Sequence, residues 1–202
     1  MPPAYGLVLY ARSRALLRTT AMLFAAAGLV AACGRLPVFH LDPAERIPAQ
    51  AMAPVFAACA LGTSLYQHSP ALDGTAARPW PARRLGHLAA LTLIAGLSLA
   101  LVAPASAEGF GTAALLRNLI GAVGVALASA AVVGARLSWA PTFVYLSTLY
   151  VSGGTPGRAA ALWSWAAQPA AQTLAWIPAL SSFAVGTSLY VVRGARPENR
   201  KG

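Results

Sequence analysis

The chain has 202 residues, of which 57% are hydrophobic and 10% charged, and 15 basic residues against 5 acidic ones give a net charge of +10. Soluble globular domains are about one quarter charged, so these few charges could not cover a soluble surface. A mean hydropathy of +0.61 excludes intrinsic disorder. The two cysteines are too few for a disulfide-bonded scaffold. The composition therefore predicts an integral membrane protein.

The charge-free intervals locate the membrane-spanning helices, because a bilayer core takes about 20 apolar residues in a helix. They predict an all-α polytopic membrane protein with six transmembrane helices, folded as a single membrane domain over residues 1–202. The expected helices cover residues of about 16–34, 49–66, 85–102, 115–133, 137–151 and 173–192.

Two further segments fit helices that lie at the membrane surface. Residues 5–20 mix apolar residues with arginines, as is typical of an N-terminal interfacial helix. Pro169 interrupts the last long apolar interval of the chain. Residues 159–168, with Trp163 and Trp165, are too short to span and predict a short outer interfacial or re-entrant helix before helix six.

Basic residues indicate the orientation, since the cytoplasmic flanks of membrane spans are enriched in Lys and Arg. With the N-terminus inside, the cytoplasmic side carries Arg12, Arg14, Arg18, Arg78, Arg83, Arg84, Arg136, Arg193, Arg196, Arg200 and Lys201. The outer side carries Arg35, Arg46, Arg117 and Arg158. Both termini are therefore expected in the cytoplasm, and the charge indicates topology rather than nucleic-acid binding. Arg117, at the outer edge of helix four, is expected to reach the interface by snorkelling.

The sequence contains no pattern that predicts catalysis, so we expect neither enzyme activity nor a cofactor. The three histidines, His40, His68 and His87, have no second metal ligand at helical spacing, and no metal site is expected.

The five acids, Asp42, Glu45, Asp73, Glu108 and Glu198, all fall in predicted loops or tails. Ion coupling normally uses ionisable residues within the spans. Without a P-loop the chain cannot hydrolyse nucleotide either, so energy for transport would have to come from a partner.

Small residues indicate how the helices pack. Ala122, Ala126, Ala130 and Gly134 form a stripe at a spacing of four residues on helix four. Such a stripe allows two helix backbones to approach closely, so it predicts tight bundling or dimerisation.

Cys33 follows Val-Ala-Ala, which resembles a lipoprotein processing site, although a small buried cysteine is the favoured interpretation.

The layout of the whole chain resembles that of an ABC-2-type exporter permease. It combines six spans, both termini inside, a cytoplasmic segment between helices two and three, and a short outer element between helices five and six. The basic N-terminal interfacial helix that belongs to this layout contains Arg12, Arg14, Leu16, Leu17 and Arg18. The resemblance implies a homodimer, or a heterodimer with a related permease. Only Lys201 is a lysine and the other basic residues are arginines, which with the abundant Ala, Gly and Pro indicates a bacterial chain and hence the bacterial cytoplasmic membrane.

A separate cytoplasmic ATPase would dock beneath this dimer. Residues 67–84 form the longest internal cytoplasmic segment, and its charged residues Asp73, Arg78, Arg83 and Arg84 are the expected docking residues. An alternative role for Arg83 and Arg84 is to anchor helix three. Two other functions stay open: a substrate-binding membrane subunit of a vitamin-uptake transporter, which would copurify with a small molecule, and a non-transport scaffold or accessory subunit, which would have no ATPase partner.

Overall fold

The computed structural model describes residues 16–35, 43–66, 80–102, 111–152 and 159–197, and within these ranges all regular secondary structure is helical. The predicted all-α fold is confirmed for this part of the chain. The helices are α1 (Leu16–Arg35), α2 (Pro43–Ser64), α3 (Trp80–Val102), α4 (Thr112–Val132), α5 (Trp139–Ser152), α6 (Ala160–Trp163) and α7 (Trp176–Arg193). Short 3-10 turns occur at Ala135–Leu137, Trp165–Ala167 and Thr173–Ala175.

Three helical stretches in the described residues are long and apolar enough to cross a membrane, namely Pro81–Leu101, Thr112–Val132 and Thr173–Arg193. A fourth apolar stretch, Met52–Ser64 within α2, is shorter. Their length and composition are those expected of a helical membrane protein. Six crossings and two cytoplasmic termini stay predictions.

Helix α4 lies at the centre of the bundle, where it contacts α2, α3, α5 and α7. Gly124 of α4 faces α7, whereas Ala126 faces α2. Two residues correspond to about 200° around a helix, so α2 and α7 flank α4 on opposite sides. A helix that is apolar around its whole circumference is expected in such a buried position.

The contact between α4 and α7 is a direct backbone contact. A Cβ atom added to Gly186 of α7 would overlap the carbonyl group of Gly124, and one added to Gly124 would overlap the main chain of Ser182 and Phe183. In a membrane, lipid tails are as apolar as leucine, so close packing rather than apolar burial favours such helix pairs. The two glycines therefore set the distance between α4 and α7.

The predicted small-residue stripe lies on another side of α4. Its four residues, Ala122, Ala126, Ala130 and Gly134, are all buried. Ala126 is 3.4 Å from the position that a Cβ of Gly62 in α2 would occupy. Gly134 lies beyond the end of α4, in the turn that leads to Ala135–Leu137, and its φ of 123° is one that favours glycine.

Helix α3 begins at Trp80, so it includes residues that the sequence assigned to the preceding loop. Pro81 is compatible with this start, because the first N–H groups of a helix have no partner within it. Arg83 and Arg84 therefore lie in the first two turns of α3. Asp73 and Arg78 fall outside the described residues.

The first described helix, α1, begins at Leu16. Arg12 and Arg14 of the predicted interfacial helix fall outside the described residues. Leu17 and Arg18, which follow the first residue of α1, have exposed side chains.

Candidate functional site

A fully buried arginine lies near the start of α4. The side chain of Arg117 is 0% exposed. The prediction that Arg117 reaches the membrane interface by snorkelling is therefore wrong. The guanidinium group instead points into the bundle, where the chain between α5 and α7 folds against α4.

The partners of Arg117 are main-chain carbonyl groups and one neighbouring side chain. Its Nη2 donates to the carbonyl oxygen of Gln168 at 2.6 Å, and its Nη1 to that of Pro169 at 3.1 Å. Its Nε donates to Oδ1 of Asn118 at 3.2 Å. Asn118 in turn donates from Nδ2 to the carbonyl oxygen of Ala166 at 2.7 Å. Two adjacent residues of α4 thus bind three carbonyl groups within residues 166–169, and we name this group of contacts the arginine clamp.

The segment held by the arginine clamp also has polar contacts of its own. Nε2 of Gln168 donates to Oγ of Ser164 at 2.7 Å, and Oγ of Ser164 donates to the carbonyl oxygen of Ala160 at 2.8 Å. Ser164 and Gln168 are both buried. These contacts connect the short helix α6 to the residues that Arg117 binds.

Aromatic side chains pack on the same segment. The rings of Tyr145 in α5 and Trp165 are stacked, with centroids 5.5 Å apart and an angle of 18° between their planes. The hydroxyl of Tyr145 donates to the carbonyl oxygen of Trp163 at 2.9 Å. A Cβ added to Gly121 of α4 would overlap the Trp165 indole, so only a glycine leaves room for that ring. The segment that contains Trp163 and Trp165 therefore packs between α4 and α5.

The arginine clamp provides hydrogen-bond donors to a stretch of irregular backbone. Residues 164–175 contain only short 3-10 turns, so several of their carbonyl groups have no partner within a helix. A backbone carbonyl group that is buried without a hydrogen-bond partner costs free energy. An arginine can satisfy several such carbonyls at once, because its planar guanidinium carries five N–H donors. The site therefore provides hydrogen-bond donors that position a backbone segment.

Arginines at the opposite end of α4 also bind main-chain carbonyl groups. Nη1 of Arg84 donates to the carbonyl oxygen of Val191 at 3.1 Å, in the last turn of α7. Nη1 of Arg196 donates to that of Val132 at 3.0 Å, at the end of α4. The last carbonyl groups of a helix have no partner within it and carry partial negative charge, which favours such contacts.

Two of the four expected docking residues, Arg83 and Arg84, lie in the part of the chain that the structure describes, and their surroundings differ. Arg83 has an exposed side chain, whereas Arg84 is half-buried against the end of α7. Arg84 thus connects α3 to α7. Docking of an ATPase by these residues stays a prediction.

Sequence reasoning did not identify Asn118, Ser164, Gln168 or Tyr145 as parts of a site. The available signal was the pair of adjacent polar residues Arg117 and Asn118 within an apolar interval, together with the break at Pro169.

No protein-family model, curated protein or solved structure matches this chain.

Proposed function

We propose that this chain is the membrane-spanning permease subunit of an ATP-driven transporter, most similar in layout to ABC-type exporters. It acts as a homodimer or as a heterodimer with a related permease, and it relies on a separate cytoplasmic ATPase. In this proposal the chain forms the pathway and performs no chemistry of its own.

The observation that supports this proposal most is the arginine clamp. Transport proteins commonly contain interrupted helices and irregular backbone within their membrane domain, supported by the surrounding helices. Residues 164–175 are such a segment, because they separate the short helix α6 from α7 and are held on α4 by Arg117 and Asn118. A buried cation within a candidate span is costly and commonly marks a functional region.

The sequence supports an energy source outside this chain. The five acidic residues lie outside the predicted spans. The expectation that all five lie in loops or tails is wrong for Glu45, which belongs to α2, but Glu45 precedes the apolar stretch Met52–Ser64 of that helix. The apolar stretches therefore lack the carboxylates that ion coupling normally uses. The chain also contains no P-loop. A partner that hydrolyses ATP would supply the energy, and residues 67–84 with Arg83 form the proposed surface for it.

Affinity purification from native membranes tests this proposal. The tagged chain, extracted in mild detergent, is expected to copurify with a P-loop protein, and the complex is expected to hydrolyse ATP. Charge reversal with Asp73→Arg and Arg78→Glu is expected to release this protein and abolish the copurified hydrolysis. Arg84 is left unchanged, because its contact with Val191 connects α3 to α7.

A matched control is charge reversal at Arg18, whose side chain is exposed on α1 and lies outside the proposed docking surface. The Arg18→Glu variant should retain the P-loop protein. A tagged chain that copurifies with a bound small molecule but no P-loop protein would contradict the proposal. Unchanged hydrolysis after charge reversal at Asp73 and Arg78 would contradict the assigned docking surface.

A further inference from the structure

Helix α7 is held by α3 at its C-terminal end. Nη1 of Arg84 in α3 donates to the carbonyl oxygen of Val191, in the last turn of α7, at 3.1 Å. The same guanidinium packs on Gly194, the residue that follows α7, because a Cβ added to Gly194 would lie 2.7 Å from Nη2 of Arg84. Gly194 has a φ of 76°, which favours glycine, and its N–H donates to the carbonyl oxygen of Tyr190 at 2.7 Å. Arg84 therefore binds the end of α7 through a hydrogen bond and a close contact.

The N-terminal end of α7 is joined to the arginine clamp by hydrogen-bonded turns. The carbonyl oxygen of Pro169 accepts from Arg117 and also from the backbone N–H of Gln172, the latter at 3.1 Å. The carbonyl oxygen of Gln172 in turn accepts from the N–H of Ala175 at 3.3 Å, one residue before α7 begins at Trp176. A displacement of Trp176 would therefore reach the carbonyl groups that the clamp binds.

Between its two ends, α7 contacts the backbone of α4. Gly186 of α7 and Gly124 of α4 form this contact without side chains between them. Gly186 lies five residues before Val191 and ten residues after Trp176, which corresponds to about 8 Å and about 15 Å along the helix axis. Because a helix is a rigid element over such lengths, a tilt about this contact would displace Trp176 about twice as far as Val191, in the opposite direction.

We propose that α7 couples its contact with α3 to the arginine clamp by tilting about the contact between Gly124 and Gly186. Arg84 is a positioning residue in this coupling: it holds the last turn of α7, so loss of its contact lets the helix tilt and release the carbonyl groups of residues 166–169. Small displacements of packed helices are a common form of conformational switching. That an ATPase acts on the clamp through α3 rests on the proposed function, whereas the coupling within the chain does not.

Labelling of a buried cysteine in the full chain in mild detergent tests the coupling, and because no ATPase is present its outcome is independent of the proposed function. The reporter is Ala166→Cys, in a background in which Cys33 and Cys59 are replaced. Loss of one hydrogen bond changes an opening equilibrium about fivefold, so Arg84→Gln should raise the rate at which a thiol reagent labels position 166 about fivefold. The Arg84→Lys variant keeps a donor and should restore most of the protection.

Two controls separate this coupling from a general loss of stability. Arg83→Gln changes the exposed neighbour of Arg84 and should leave labelling at position 166 unchanged. A cysteine in place of Ala26, which is buried in α1, reports on general opening, because α1 packs on α2 and α3. Arg84→Gln should change its labelling much less than that of position 166. Equal increases at positions 26 and 166, or no increase at position 166, would overturn the proposal.

Discussion

Substitution of Arg117 by methionine tests the arginine clamp, because methionine has a similar length and no donors. It would leave the carbonyl groups of Gln168 and Pro169 without the bonds that Arg117 now provides. A buried carbonyl without a partner costs about 1–3 kcal/mol, which gives about 2–6 kcal/mol for two. Removing a buried charge relieves part of its desolvation cost, so the net effect should fall in the lower half of this range. We expect the free energy of unfolding to decrease by about 3 kcal/mol.

Two measurements check this value in the full chain. The first is the free energy of unfolding in detergent. The second is the labelling of Ala166→Cys, a buried position whose carbonyl group accepts from Asn118. Labelling requires a background in which Cys33 and Cys59 are replaced. The Cys at position 166 should be protected in the presence of Arg117 and become reactive in the methionine variant.

The exposed Arg18 offers a control, since surface substitutions usually change stability by less than about 0.5 kcal/mol. The Arg117→Met variant would refute the clamp if it lost no more stability than Arg18→Met and if position 166 stayed protected. Asn118→Leu removes one carbonyl contact and should cost about half as much as Arg117→Met. Because the two side chains are bonded to each other, the double variant should cost less than the sum of the two.

The remaining predictions concern packing, the helix-end contact and topology. Gly186→Ala should destabilise the protein by about 1–3 kcal/mol through overlap with α4, whereas Gly28→Ala, which meets nothing within 4 Å, should not, as unfolding measurements in detergent would show. Arg84→Gln should lower stability by about 1 kcal/mol, measured in the same way, because it weakens the contact with Val191. External thiol reagents should label a cysteine at position 108 but not one at position 73, and external labelling at position 73 would contradict the predicted topology.

The helical class of the fold was predictable, because charge-free apolar intervals have few alternatives to helices in a membrane. The segment between α5 and α7 also had a signal, since Pro169 divides an interval that is too long for one span. The start of α3 was harder to predict. Charge alone placed Arg83 and Arg84 in a loop, whereas a helix accepts basic residues and Pro81 in its first two turns.

The arginine clamp could not be predicted from residue types, because most of its acceptors are main-chain carbonyl groups. Every residue has such a carbonyl, so nothing in the sequence marks Gln168 and Pro169 as partners of Arg117. Without such a mark, the sequence predicts for Arg117 the usual behaviour of an arginine near a helix end, which is snorkelling to the membrane interface. Its burial depends on a segment about 50 residues away that folds back over it.

The pairing of α4 with α7 could not be predicted from the sequence either. The stripe with Ala122 and Ala126 was visible because its residues repeat every four positions. The close contact with α7 instead depends on single glycines, Gly124 and Gly186, whose proximity only the tertiary structure reveals. Spacing within one helix shows that a close approach is possible, but it does not identify the helix that makes it.

The most direct test of the proposed function is photo-crosslinking in living cells. A photoreactive amino acid is placed at position 78, within the proposed docking surface, and at position 108, on the predicted outer side. The account predicts that position 78 crosslinks to a P-loop ATPase and that position 108 does not. If no position within residues 67–84 crosslinks to such a protein while the chain is expressed and inserted, the assignment as an ATP-driven permease is contradicted.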